Sequence, residues 1–175
     1  MDYFEAIKNR YSHKERFLPT AVPREALEKI ANAGLMAPSG NNAQSVHLVL
    51  LPDREAIQPL SDIATTPALE SAPAAIALFT DGNTQTGQFN FEVEDYSAAC
   101  ENILLAATAL GYSALWLDYL YLSNQQTRLA AQALLNAPKN YYLRVVIPIG
   151  LPDGPGSRRE KRPLNERLHY NRFKD

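Results

Sequence analysis

The chain is poor in cysteine, in net charge and in long apolar runs, and each shortage excludes something. A single cysteine, Cys100, cannot close an internal disulfide, so no covalent staple supports the fold and a reducing compartment suits it. That cysteine sits in an apolar, helical-looking run, where a small buried thiol is the expected role. A net charge of −2 over 175 residues gives no broad positive potential to release counterions from a polyanion, so a nucleic-acid partner is not expected and any anion site must be a local cluster. The longest apolar run, "ILLAATALGYSALWL" at 103–117, is interrupted by Gly111 and Ser113 and falls short of the ~18 residues of a membrane span. The first ten residues place acids early and contain no continuous apolar stretch, so no secretory leader is expected and the reading is cytoplasmic. His13, His47 and His169 lie far apart with no carboxylate or cysteine at metal spacing, so no metal site is expected. No G-x-S-x-G elbow, Walker loop or G-x-G-x-x-G turn is present either.

What is present is an ordinary soluble composition, 46% apolar and 21% charged, enough for one domain with a core. Residues 2–9 can form a short helix. "VPREALEKIANAGLMA" spaces Leu27, Ile30, Ala31, Gly34 and Leu35 for an amphipathic helix that stops before Pro38. "VHLVLL" (46–51) and "AAIALFT" (74–80) read as buried strands, with a weaker helix over 54–63 between them. Over 93–110 a stripe of Val93, Tyr96, Cys100, Ile103, Ala107 and Leu110 is joined by alanines on the other faces, so this helix needs cover nearly all round. A strand "SALWL", a helix over 124–135 and a strand "YYLRVVIPIG" follow. Beyond Gly150 the chain turns to Pro, Gly and Arg with no core-forming pattern, so residues 151–175 must lie on something.

Two short stretches carry chemistry. "NRYSHKERF" (9–17) crowds Arg10, Lys14 and Arg16 around Ser12 near the N-terminus, and "APSGNNAQ" (37–44) is a polar turn between a helix stop and a strand. Alone, the first reads as a solvated helix end and the second as a turn whose N–H groups and amides can meet a planar polar ligand. A third, basic stretch has Arg158, Arg159, Lys161, Arg162, Arg167 and Arg172 against two glutamates.

Taken in order, "IKNRYSHKERF", "ANAGLMAPSGNNAQ", "APAAIALFTD", "EDYSAACENILLAATALGYSALWL" and "VVIPIGLP" with a basic tail resemble the nitroreductase family of flavin enzymes over most of the chain. The resemblance implies an α+β domain with a mixed central sheet flanked by helices, and an extended C-terminal tail wrapping the partner subunit of a homodimer. It implies FMN as cofactor, NADH or NADPH as donor, and a small acceptor such as a nitroaromatic, quinone or flavin, reduced by a ping-pong mechanism. Arg10, Tyr11, Ser12 and Lys14 then look like the first flavin loop, with Arg10 on the ribityl phosphate and Lys14 near the pyrimidine edge of the ring. Pro38, Ser39, Asn42 and Gln44 look like the second loop, which reaches across the interface. Many relatives follow that glutamine with Pro-Trp, where this chain has Ser45 and Val46. Lys161 and Arg162 look like the cations that close over the phosphate, with Arg159 as the alternative. No protein acid or base is implied, because the flavin carries the chemistry. The other reading of the same residues is an FMN store or sensor without efficient turnover, and a third is a family fold that has lost its flavin. Arg16 is assigned to solvent and Asn102 to a structural hydrogen bond, while Tyr96, Trp116 and Tyr119 fit either a pocket wall or the core.

Overall fold

The structure is a computed structural model that describes residues 1–83, 85–86, 89–118 and 124–173. Its elements are α1 (Tyr3–Asn9), α2 (Arg24–Leu35), β1 (Val46–Leu51), α3 (Arg54–Ile63), α4 (Pro67–Ser71), β2 (Ala74–Thr80), a small β3 (Gln85–Thr86) and β4 (Phe89–Asn90) hairpin, α5 (Glu92–Ala109), β5 (Ser113–Ala114), α6 (Gln125–Leu134) and β6 (Tyr142–Gly150). The main sheet has the order β1-β2-β6-β5, and its named strands pair antiparallel. A parallel contribution comes from an isolated bridge between Ser12 and Ala114.

β2 is buried at every position because apolar side chains leave both faces of the strand and each face meets helices. Ala74, Ile76 and Leu78 join Val145, Ile147 and Ile149 of β6 beneath α2 and α5. Ala75, Ala77 and Phe79 join Leu143 and Val146 in a second layer with Ile57 and Leu60 of α3, Leu69 of α4 and Ala131 of α6. The continuous aliphatic run thus marks a strand covered on both sides, as the sheet-between-helices architecture requires.

α5 runs from Glu92 to Ala109 and packs against α1, α2 and the sheet. Tyr96, Cys100, Ile103 and Ala107 of the expected stripe are buried, whereas Val93 at its start is 60% exposed and Leu110 lies past the helix end. Asp95 and Ala99 take the place that Val93 was expected to hold. Cys100 is fully buried, and desolvation pushes its thiol well above the ordinary range. Asn102 donates its side-chain amide to the Ala33 carbonyl at 3.0 Å, which ties α5 to α2 as a structural amide does. The expected strand "SALWL" is shorter than its apolar pattern: only Ser113 and Ala114 pair as β5, with a further bridge at Leu117. α4 and the β3–β4 hairpin were not anticipated. At the far end of β2, Arg144, Glu92 and Thr80 form a half-buried polar cluster in which the guanidinium meets both the carboxylate and the hydroxyl.

α2 and α5 approach closely at Gly34, where an added Cβ would come within 2.7 Å of Ile103 Cγ1. Gly34→Ala is therefore expected to overpack this crossing and cost about 1–3 kcal/mol. Thermal or urea unfolding measures it. In the Ile103→Ala background the same change should cost much less, because the colliding Cγ1 and Cδ1 carbons are gone.

Candidate functional site

The first loop is built outward from α1. Asp2 caps this helix, accepting from the Glu5 N–H at 2.9 Å while the Glu5 carboxylate accepts from the Asp2 N–H at 3.2 Å, a reciprocal capping box. The helix ends at Asn9, and Arg10 turns out with extended backbone. The chain then runs along the sheet edge, Ser12 bridging Ala114 and the His13 N–H donating to the Ala114 carbonyl at 3.1 Å. Side chains alternate there as on any strand. His13 and Phe17 point inward, with ring centroids 4.5 Å apart, while Ser12 and Lys14 face solvent. His13 Nε2 lies 2.9 Å from the Arg16 carbonyl, a contact in which the ring nitrogen donates.

Backbone pairing brings the other end of the chain to this loop. Phe17 bridges Pro152, the Leu18 N–H donates to Leu151 at 2.9 Å, and the Asp153 N–H donates to Arg16 at 2.9 Å. Residues 155–161 consequently lie beside residues 7–15, and the two stretches enclose a groove of about 990 Å³. Its walls carry Lys8, Arg10, Lys14, Arg158, Arg159 and Lys161 against one carboxylate, Glu15. Tyr11 and Ser12 complete the wall on the N-terminal side.

Within the groove the cations differ. Arg10 is 23% exposed at its side chain and lies 3.9 Å from Glu101 through Nε, so its two terminal nitrogens are the pair suited to a fork toward an oxyanion. Lys14 is exposed. Arg158 is committed elsewhere: it donates to the Lys8 carbonyl at 3.2 Å and Asn9 Oδ1 at 3.3 Å, and its guanidinium sits 5.9 Å from the Tyr11 ring centroid. Tyr11 in turn accepts from the Ser113 hydroxyl at 3.0 Å. Gly156 lies directly on the Tyr11 ring, where a Cβ would come within 2.1 Å. Together these contacts clamp the start of the tail, and this clamping role of Arg158 and Tyr11 had no sequence signal beyond their composition. Arg159 and Lys161 line the groove, whereas Arg162 is exposed and outside its walls.

Pro38, Ser39, Asn42 and Gln44 do not line the groove. They sit on the connection from α2 to β1, around a short 3-10 turn at Gly40–Asn42. Ser39 Oγ accepts from the Gln44 N–H at 2.9 Å, and the Ser39 carbonyl accepts from the Asn42 N–H at 3.0 Å. Pro38, Asn41, Asn42 and Gln44 are exposed. The structure therefore brings together the first loop and the tail cations and leaves the second loop apart.

The remaining candidates resolve simply. Arg16 is exposed and pairs with Glu70 at 3.3 Å, as a solvated cation does. Tyr96 and Trp116 meet edge-on at 6.3 Å within the α5-side core, and burial pushes the Tyr96 phenol upward. Tyr119 lies outside the described residues. Among the described residues no group of three or more His, Cys, Asp or Glu could hold a metal, and no helix is long and apolar enough to cross a membrane.

Comparison with known proteins finds relatives of the chain over most of its length. The chain matches the model of the Nitroreductase family over residues 7–75 and 64–151. It is 31% identical over 175 residues to a protein of Methanothermobacter thermautotrophicus named "Putative NADH dehydrogenase/NAD(P)H nitroreductase", covering 99% of this chain and 88% of that one. Among solved structures it resembles an FMN-dependent nitroreductase of Clostridium difficile R20291 with a TM-score of 0.81 and 25% identity, over 97% of this chain and 99% of that one. A protein of Desulfovibrio desulfuricans crystallised in complex with FMN is similar at a TM-score of 0.82 and 27% identity, over 99% and 98% of the two chains.

The clamp on the tail has a consequence independent of any ligand. Gly156→Val should push the segment off Tyr11, and trypsin should then cut at Arg158, Arg159 and Lys161 several times faster than in the wild type. The melting temperature should stay close to wild type, because residues 153–173 are exposed and add little to the core. Time-resolved mass spectrometry of the digest reads both sites and rates.

Proposed function

This chain belongs to the nitroreductase family, and on that premise we propose that it is a cytoplasmic, FMN-dependent oxidoreductase working as a homodimer of single-domain subunits. It takes electrons from NADH or NADPH and passes them by a ping-pong sequence to a small acceptor such as a nitroaromatic, quinone or flavin. The observation that carries this reading is the basic groove between residues 7–15 and 155–161, formed in a chain of net negative charge.

The donor set fits FMN. A phosphate monoester near pH 7 carries nearly two negative charges, and the groove offers a guanidinium, a hydroxyl and further cations within one wall system. Arg10 would hold the phosphate through its terminal guanidinium nitrogens, and Ser12 would add its exposed hydroxyl. Arg159 and Lys161 lie on the facing wall and neutralise the remaining charge; Arg162 is the alternative should the tail shift by one residue. Tyr11 shapes the groove floor and holds the tail over it. When bound, FMN supplies the electron transfer itself, and the protein contributes placement and electrostatics. Lys14, on the groove wall, would provide a positive charge to offset the negative charge that reduction builds on the ring.

Pro38, Ser39, Asn42 and Gln44 fit a contribution from the second subunit, since they do not line the groove of their own chain. Two further features favour a dimer. Tyr3 and Phe4 of α1, Met36 after α2 and Val93 of α5 are large apolar residues at least 60% exposed, on or next to helices that pack against one another. In the tail, Leu164, Tyr170 and Phe173 are 69%, 78% and 82% exposed, so a partner surface is what they lack.

The direct test is the purified protein's visible spectrum, flavin titration and steady-state oxidation of NADH and NADPH with a quinone or nitroaromatic. Bound FMN with turnover supports the enzyme; tight FMN binding with no reduction by either nicotinamide indicates a store or sensor instead. At the phosphate, Arg10→Ala should cost about 1.5–3 kcal/mol of FMN binding, roughly a tenfold to hundredfold rise in Kd. At the ring, Lys14→Met should lower the flavin reduction potential by more than its effect on oxidised-FMN affinity accounts for, because only the reduced ring gains the full charge. A potentiometric titration of the variant beside the wild type measures the difference.

A further inference from the structure

Asp95 is a carboxylate 2% exposed at the start of α5, and none of the roles above uses it. One oxygen accepts the Gly40 N–H at 2.7 Å and the other accepts the Ser45 hydroxyl at 2.9 Å. These two contacts bracket residues 41–44. Inside the bracket, Asn41, Asn42 and Gln44 all have positive φ, at 51°, 55° and 51°, a left-handed conformation that asparagine tolerates better than most residues and glutamine does not favour. Three such residues in four hold only where the surroundings over-determine them.

The surroundings do so from several directions. Phe91, the residue before α5, lays its ring on Gly40, where a Cβ would meet ring carbon at 2.3 Å. The Asp95 N–H donates to the Phe91 carbonyl at 2.8 Å, so ring and carboxylate belong to one rigid turn. The exit of the loop is fixed by the Ser45 carbonyl, which accepts from the Asp81 N–H at the end of β2 at 3.1 Å. An ionised carboxylate only accepts, and its hydrogen bonds are charge-assisted. It suits one backbone N–H and one hydroxyl converging from the two ends of a turn.

We propose that Asp95 is a positioning residue for flavin binding: by tying Gly40 to Ser45 it holds the 41–44 turn in its left-handed form, so that the exposed side chains of Asn42 and Gln44 face the partner's cofactor already ordered. The inference rests on the reading that this loop serves FMN. Asp95 touches no cofactor atom itself. It acts through Gly40 and Ser45, and it reduces the ordering cost that a slack loop would meet on binding. It also accounts for Ser45, one of the positions where this chain departs from the Pro-Trp of many relatives: the hydroxyl occupies the second carboxylate oxygen.

The test compares Asp95→Leu, which cannot accept, with Asp95→Asn, whose Oδ1 can still accept from Gly40 and whose Nδ2 can donate to the Ser45 hydroxyl. Full-length protein stripped of flavin is titrated with FMN, and amide exchange at Gly40 is followed by NMR. Asp95→Leu should raise the FMN Kd about tenfold or more, the range for losing hydrogen bonds to a charged group, and should unprotect the Gly40 amide. Asp95→Asn should restore both most of the way. A carboxylate that merely stabilised the fold would lower the melting temperature of both variants and leave the Kd of folded protein unchanged, and that outcome overturns the proposal. A freely exchanging Gly40 amide in the wild type overturns it too. If Asp95→Leu does not fold, Ser45→Ala decides: weaker FMN binding supports the tie, unchanged binding removes it. Wild-type protein that binds no FMN defeats the functional reading beneath, and the proposal with it.

Discussion

The groove depends on holding like charges together. Lys8, Arg10, Lys14, Arg158, Arg159 and Lys161 share one wall system with a single carboxylate among the described residues, in a chain whose net charge is −2. Among the described residues the ion pair at Arg10 is a loose 3.9 Å contact, too weak to hold them. The first loop is joined instead by neutral backbone pairing, through Ser12 to Ala114 of β5, and through Phe17 to Pro152, Leu18 to Leu151 and Arg16 to Asp153 at the start of the tail. That pairing is anchored in the core by His13 and Phe17, both buried. Repulsion among the cations is thus opposed by this backbone pairing. Any anion that binds only the folded state must stabilise the protein by mass action.

The sheet can bear this because its centre is covered on both faces. β2 and β6 carry apolar side chains alternately to the α2/α5 layer and to the α3/α4/α6 layer, leaving the β5 edge to receive the first loop. The same edge position that exposes Ser12 and Lys14 buries His13. One strand-like stretch therefore supplies both a core anchor and a binding surface. The second loop is held by a different device, the buried Asp95 carboxylate on α5 that accepts from Gly40 and Ser45, and its residues do not line their own chain's groove. The proposed homodimer would join the two, because a two-fold axis can present the loop of each chain to the groove of the other.

Much of this was legible in the residues, and the failures have physical reasons. β1, β2 and α3 fall at 46–51, 74–80 and 54–63 as read, because apolar runs bounded by turn formers leave little freedom at their ends. α4 was missed because five residues are too few to show a period. "SALWL" was read too long: five apolar or small residues mark burial, but pairing stops after Ala114 and resumes only at Leu117. On α5 the stripe was drawn through Val93, which is exposed, when the buried line runs through Asp95, Ala99 and Ile103 at i, i+4, i+8. An acidic residue in register with buried small and aliphatic ones is the signal, one that hydrophobic periodicity does not register because it weighs apolar residues alone. In the tail, charge composition pointed to a cluster, but which cation faces the groove is set by Gly156 resting on Tyr11, a contact between residues far apart in sequence.

We propose that each flavin site is assembled from the groove of one subunit and the second loop of the other. Differently tagged Arg10→Ala and Asn42→Ala chains, refolded together and purified as the mixed dimer, test it directly by counting FMN bound with wild-type affinity. A shared site leaves one groove and one loop unaltered on the same side of the axis, so the mixed dimer should recover one intact site in two although each parent dimer has none. A mixed dimer in which neither site recovers would mean that all flavin contacts lie within one chain, and the account would be wrong.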